Sequence, residues 1–123
     1  MNMTEKELFI EKMKARTKKF ALDIIAFYDG LPKNNLCYRL GDQLLRSGTS
    51  VGANYRASCR AQSQAEFCSK ISIVIEEGDE YGFWLELFIE PGMRDTQKTR
   101  RLLTEANELT SIMAKARKTI NSR

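Results

Sequence analysis

The chain has 123 residues, of which 42% are hydrophobic and 29% are charged. This composition predicts one globular domain over residues 1–123 rather than a disordered protein. There is no histidine, so Ser-His and Cys-His nucleophiles are excluded. The net charge is +4, but residues 63–92 carry seven acidic side chains against one lysine, and the remaining segments are basic. Such asymmetry can orient neighbouring helices or subunits, and it leaves basic surface for a polyanion.

The cysteines and the apolar runs indicate the compartment. Cys37, Cys59 and Cys68 are odd in number and form no CxxC pair, which predicts reduced thiols packed as small hydrophobic groups. No apolar run reaches the roughly 18 residues of a membrane span. The first residues are acidic and polar, unlike a signal peptide. We therefore expect a cytoplasmic protein without a membrane partner.

Helical periodicity begins near the start of the chain. The first predicted helix spans residues 5–29, and the Asp-Gly-Leu-Pro sequence at 29–32 ends it, with Gly30 suited to a left-handed cap. Its apolar face comprises Phe9, Met13, Phe20, Ile24 and Phe27.

The second predicted helix spans residues 34–61 and contains Gly41, Gly48 and Gly52. Each glycine costs a helix about 1 kcal/mol relative to alanine, so their repetition predicts close approach by another helix. A loop at 47–50 is the alternative, but the apolar edge stays in phase on both sides, which favours one continuous helix. That edge comprises Leu36, Leu40, Leu44, Val51 and Tyr55.

Two further helices are predicted over residues 63–89 and 95–121. Ser63 and Glu66 fit a capping box before the third helix, and Pro91 with Gly92 ends it. No strand-like alternation of useful length is present. Short connections between long helices predict an all-α, up-down-up-down antiparallel four-helix bundle.

A polar seam runs along the second helix at steps of three and four. Its expected partners lie on the third helix, where Arg46 and Asn54 would bond with Glu77 and Glu80. Polar groups in a helix interface are costly unless each finds a partner. The seam therefore predicts a buried network that fixes helix register, and the alternative is a small polar ligand site. The predicted network comprises Gln43, Arg46, Ser47, Ser50, Asn54, Glu77, Glu80 and Trp84.

Catalysis and metal binding have little support in the sequence. Di-metal bundles use Glu-x-x-His pairs, and here Glu77 and Glu80 stand without histidine or a matching acidic motif on another helix. We predict a non-enzymatic protein with no cofactor and no metal. An enzyme or small-ligand protein that uses the two carboxylates is the remaining alternative.

Basic residues cluster on the first and fourth helices. They could contact phosphates and give salt-sensitive, largely sequence-independent binding of RNA or DNA, or they could form an ordinary solvated face. The candidate nucleic-acid contacts are Lys14, Lys18, Lys19, Arg94, Lys98, Arg100, Arg101, Lys115, Arg117 and Lys118.

Four aromatic residues crowd one part of the third helix and face more than one direction. A bundle of this size cannot bury every side of a helix, so we expect some of them at a subunit interface rather than all in the core. These residues are Tyr81, Phe83, Trp84 and Phe88.

Two strings resemble a known family. QLLRSGTSVGANYR at 43–56 and EGDEYGFWL at 77–85 are similar to the motifs of the four-helix-bundle proteins named after intervening sequences in bacterial 23S rRNA genes, and Lys70 also matches. The likeness covers nearly the whole chain. The chain departs from the family pattern at Ala57 and Ser58, where an acidic residue is usual, and at Glu76 and Gly82.

The resemblance implies a homopentamer of four-helix bundles. Similar proteins are accessory factors of diversity-generating retroelements, in which a basic pentamer binds a reverse transcriptase and nucleic acid. The resulting prediction is an oligomeric RNA- or nucleoprotein-associated scaffold that binds nucleic acid through basic helix surfaces. The alternative is a protein-interaction accessory subunit, for example for a reverse transcriptase, without direct nucleic-acid binding.

Overall fold

A computed structural model describes residues 2–122 and contains four long helices. They are α1 (Glu5–Asp29), α2 (Asn35–Cys59), α3 (Gln64–Ile89) and α4 (Gln97–Asn121). No strand occurs in this described range. The all-α prediction is therefore confirmed, and the helix bounds differ from the predicted ones by no more than two residues. In particular, α2 is continuous through residues 47–50, so the loop alternative is wrong.

Each helix begins at a side chain that accepts a backbone hydrogen bond. Thr4 and Glu7 form a full capping box at α1, with both bonds at 3.1 Å. Asn34, Ser63 and Thr96 cap the other three helices in the same way. The predicted box at α3 forms only in part, because Glu66 accepts from the backbone of Gln62 instead of Ser63.

The ends of α1 and α3 use glycine differently. Gly30 has a φ of −86°, so the predicted left-handed cap at the end of α1 is wrong. Gly92, which follows α3, has a φ of +76° and does occupy the left-handed region that glycine tolerates best. Within residues 2–122, glycine therefore provides a left-handed turn only between α3 and α4.

One hydrophobic core contains residues from all four helices. Phe20 meets Tyr81 edge-on with ring centroids 5.0 Å apart, and Phe27 meets Phe88 in the same way at 5.7 Å. Such edge-to-face pairs add about 0.5–1.5 kcal/mol beyond the area they bury. Two residues predicted for apolar faces, Phe9 and Leu36, are exposed instead, because they lie near helix ends beyond this core.

Helix α2 passes close to α1 at its glycines. A Cβ atom on Gly48 would collide with Ile24 and come within 2.9 Å of Tyr81. On Gly52 it would lie 3.3 Å from the backbone oxygen of Thr17. The prediction that these glycines permit close helix approach is confirmed.

The connections between helix ends set the layout of the bundle. Tyr28 near the end of α1 donates a hydrogen bond to Asp42 near the start of α2 at 2.7 Å. Gln64 at the start of α3 donates to the carbonyl of Ile120 near the end of α4 at 2.8 Å. Among adjacent helices, α1 and α4 make the sparsest contact, and a groove remains between them.

Candidate nucleic-acid interface

The groove between α1 and α4 widens into a cavity of about 660 Å³ near the end of α1. Phe20, Phe27 and Leu102 give it an apolar floor, and the polar side chains surround that floor. We call it the cationic cavity. Its lining residues are Lys19, Phe20, Asp23, Ala26, Phe27, Arg94, Thr96, Lys98, Arg101, Leu102 and Glu105.

Both carboxylates of the cationic cavity already have cationic partners. Asp23 accepts a hydrogen bond from Lys19 at 2.8 Å, and this pairing raises the pKa of the Lys19 ammonium. Glu105 is bound by Arg16, which lies outside the cavity. The acidic residues at this site are therefore neutralised by neighbours.

Three cations of the cavity have no such partner. Within residues 2–122, Arg94, Lys98 and Arg101 form no ion pair. The Arg94 guanidinium lies beside Gly30 at the end of α1, where helix carbonyls carry partial negative charge. The cavity therefore presents a net positive surface, which suits an anion.

The boundary of the cationic cavity is an ion pair that joins α1 to α4. Arg16 donates through Nε and Nη2 to the two carboxylate oxygens of Glu105, at 2.8 and 2.6 Å. Glu108 adds a contact at 2.9 Å. These hydrogen bonds raise the pKa of the Arg16 guanidinium. No residue pattern predicts this pair, because the relative register of the first and last helices cannot be determined from either helix alone.

The other predicted basic residues lie elsewhere. Arg100 is paired with Asp95 through two bonds at 2.7 and 2.9 Å, which raises the Arg100 pKa and lowers that of Asp95. Lys14 is 3.6 Å from Glu11, and Arg117 donates to Ser72 at 3.2 Å. Of the ten candidates, the structure gathers four at the cationic cavity: Lys19, Arg94, Lys98 and Arg101. Lys18 and Lys118 are exposed on other parts of the surface, and Lys115 lines a different cavity.

A second polar cluster joins α2 to α3. Arg46 donates to Glu77 at 3.2 Å and to Glu80 at 2.6 Å, and Gln43 accepts from the same guanidinium at 3.3 Å. The Arg46 guanidinium holds the pKa of Glu80 below its usual range. The Arg46 side chain is nevertheless 49% exposed, so the expectation of a buried network is wrong. Long side chains reach across the rim of the interface rather than through its centre.

The smaller members of the seam bond within their own helix. Ser47 is fully buried, and its hydroxyl donates to the Gln43 carbonyl at 2.8 Å. Ser50 donates to the carbonyl of Arg46 at 2.7 Å. Asn54 donates to the carbonyl of Ser50 at 2.9 Å, so the expected bond from Asn54 to Glu77 or Glu80 is wrong. A carbonyl one turn earlier in the helix is the nearest acceptor for a short side chain.

Trp84 is half-buried beside this cluster. Its indole N–H lies near Glu80 and adds to the lowering of the Glu80 pKa, but it falls outside hydrogen-bond geometry and has no partner among residues 2–122. Trp84 therefore belongs to the cluster by proximity alone.

Neither site resembles a metal centre. Residues 2–122 contain no group of three or more cysteine, aspartate or glutamate side chains placed to hold a metal ion. In the same range, no helix is both long and apolar enough to cross a membrane. The three cysteines are free thiols.

The fold and the cluster between α2 and α3 define a class of small four-helix-bundle proteins. The model of one family, the 23S rRNA-intervening sequence proteins, matches residues 11–115 of this chain. The chain belongs to that family, and the resemblance seen in its sequence is confirmed.

A solved structure supports the same assignment. A protein of unknown function from the S23 ribosomal protein family of Bacteroides thetaiotaomicron is 30% identical to this chain. The match covers 85% of this chain and 97% of that one, with a TM-score of 0.78. No curated protein matches this chain.

Proposed function

We propose that this protein is a non-enzymatic, oligomeric scaffold that binds nucleic acid through the cationic cavity between α1 and α4. The observation that carries the proposal is the convergence of Arg94, Lys98 and Arg101 on one concave site whose carboxylates are already neutralised. Phosphates are the commonest biological anions that clustered arginine and lysine bind. The contacts would go to the backbone of RNA or DNA and would be largely independent of sequence.

The proposal extends to arrangement and assembly. The contacts of Tyr28 with Asp42 and of Gln64 with Ile120 support an up-down-up-down order of antiparallel helices. Exposed Phe83 on α3 supports self-association, which we propose gives a pentamer. Three free thiols fit a reducing compartment, so we place the protein in the cytoplasm.

A salt titration of binding to a structured RNA and to duplex DNA tests the function. We expect affinity to fall steeply with salt, with a slope on duplex DNA of roughly 0.9 per phosphate contacted. Arg101→Gln should weaken binding and lower that slope by about 0.9. The matched control is Arg100→Gln on the same helix, because Arg100 is already paired with Asp95.

Equal losses in both variants would show that net charge, not the cavity, governs binding. An oligomer that binds neither nucleic acid at low salt would overturn the proposal. In that case a role as an accessory subunit for a protein partner, such as a reverse transcriptase, becomes the better hypothesis.

A further inference from the structure

Helix α3 carries one outward-facing line of acidic residues with a phenylalanine in its middle. Glu76, Asp79, Phe83 and Glu86, together with Glu90 at the C-cap of α3, recur at steps of three and four, which places them on one face. All five side chains are exposed, and that of Phe83 is 53% exposed. We call these five residues the acidic stripe.

The carboxylates of the acidic stripe do not stabilise the monomer through ion pairs within the described residues. Its four carboxylates form no ion pair with any residue in the range 2–122. Like charges one turn apart, such as Glu76 with Asp79, repel each other and weaken a helix. An exposed aromatic ring among them adds an apolar surface in contact with water. This combination has a clear physical benefit only when a cationic and apolar partner covers it.

The phenylalanine is held in position before any partner arrives. Its ring packs edge-on against Trp84, with ring centroids 5.2 Å apart. Trp84 is itself half-buried against the core. A rigid aromatic side chain loses little conformational freedom on binding, which is a property of the residues that dominate interface energetics.

The same chain carries a complementary surface at the opposite end of the bundle from the cationic cavity. A cavity of about 840 Å³ lies there between the start of α1 and the end of α4, with the end of α2 and the start of α3 also lining it, and Phe9, Ile10 and Ile112 are among its apolar walls. We call it the apolar cavity. Lys6 and Lys115 are its charged lining residues, and neither forms an ion pair within residues 2–122.

A chain cannot fill its own apolar cavity with its own stripe. Ile71 of α3 lines the cavity, and Phe83 lies twelve residues further along the same helix. At 1.5 Å per residue the separation is about 18 Å. The two surfaces can therefore meet only between different copies.

We propose that the acidic stripe of one copy packs into the apolar cavity of the next. Phe83 enters the cavity, and the carboxylates on either side of it meet Lys6 and Lys115. The contact joins two different surfaces, so repetition closes a ring when the rotation between copies permits it. It also leaves the cationic cavity of every copy open. This inference rests on the self-association in the proposed function and specifies its interface.

Light scattering on purified full-length variants tests the interface. The parent should have a mass several times the 14.1 kDa of one chain, and Phe83→Ser should reduce it to that of the monomer. The matched control is Leu22→Ser on α1, because Leu22 is 56% exposed and lies outside both surfaces. It should keep the parent mass. Circular dichroism would confirm that each variant is folded.

Charge exchange makes the test specific. The stripe variant Asp79→Lys with Glu86→Lys, and the cavity variant Lys6→Glu with Lys115→Glu, should each dissociate. All four substitutions in one chain should restore the oligomer. A monomeric parent, an unchanged Phe83→Ser variant or a failure of the combined chain to reassemble would overturn the proposal. Because the cationic cavity is untouched, loss of nucleic-acid binding in Arg101→Gln at unchanged mass would be a separate result.

Discussion

Arg16 of α1 binds both carboxylate oxygens of Glu105 on α4, at 2.6 and 2.8 Å, in the middle of the groove between these helices. The pair separates the cationic cavity from the apolar cavity, which begin at Lys19 and at Ile10 on either side of it. The pair therefore joins α1 and α4, the adjacent helices that share the least contact, at a point where the cavities leave little other contact between them.

Replacing Arg16 should destabilise the protein. Its side chain is 24% exposed and binds through two parallel hydrogen bonds, a geometry stronger than that of an ordinary surface pair. We expect Arg16→Ala to lower the free energy of unfolding by about 1–2 kcal/mol. Urea denaturation of Arg16→Ala, Glu105→Ala and the double variant would isolate the pair in a double-mutant cycle. A coupling energy near zero would contradict this role.

Alanine at Gly48 of α2 and alanine at Gly82 of α3 should change stability in opposite directions. Gly48→Ala places a methyl group against Ile24 and Tyr81, and we expect it to cost about 1–3 kcal/mol of stability. Gly82→Ala meets only Leu103, at an ordinary 3.8 Å, and should stabilise the helix by up to about 1 kcal/mol. Thermal melts of the two variants provide the comparison. Equal effects would show that close helix approach at Gly48 is not the constraint.

The pair of Arg46 and Glu80 should make a small, pH-dependent contribution to the free energy of unfolding. Arg46 lowers the pKa of Glu80 in the folded state. The contribution is therefore present above the unfolded-state pKa of about 4.3 and is lost as pH falls through the lower folded-state pKa. Solvent screening limits the cost of Arg46→Ala to about 0.5 kcal/mol near pH 7.

Denaturation at pH 7 and near pH 3 would measure how much less stable Arg46→Ala is than the parent at each pH. Arg39→Ala is the control, since Arg39 is exposed on the same helix and forms no ion pair within the described range. A large loss at pH 7 would restore the buried-network interpretation.

Removing the hydroxyl of Tyr81 should leave stability unchanged or raise it. The residue is fully buried and its hydroxyl has no hydrogen-bond partner among the described residues. A buried polar group without a partner costs about 1–3 kcal/mol, so we expect Tyr81→Phe to gain up to about 1 kcal/mol. Tyr28→Phe is the control and should lose stability, because the Tyr28 hydroxyl donates to Asp42 at 2.7 Å. A destabilised Tyr81→Phe variant would indicate an unseen partner.

The sequence predicted the helices well because their ends and faces depend on local chemistry. Ser63 and the Pro-Gly pair at 91–92 bound α3, and the glycines of α2 indicated close packing that the structure contains. Whole-helix periodicity was less informative at the ends, where Phe9 and Leu36 continue an apolar face past the core.

The sites were harder to predict because they depend on competition between hydrogen-bond acceptors and on the relative register of the helices. Asn54 has the spacing of an interface residue, yet the carbonyl of Ser50 is closer than any carboxylate across the interface. Arg46 did find Glu77 and Glu80, since a long side chain can reach from the rim. The pairing of Arg16 with Glu105 joins residues 89 positions apart, and no local pattern encodes it.

The sparse contact between α1 and α4 also has a consequence for how the native state opens. The helix pair α2 and α3 shares the most extensive contact, so its central amides should exchange hydrogen most slowly. Helix α4 packs on α3 and helix α1 on α2, so widening the groove between α1 and α4 breaks the sparsest contact between adjacent helices. Local opening would then begin along one side of the bundle, which is also the side where the cationic cavity lies.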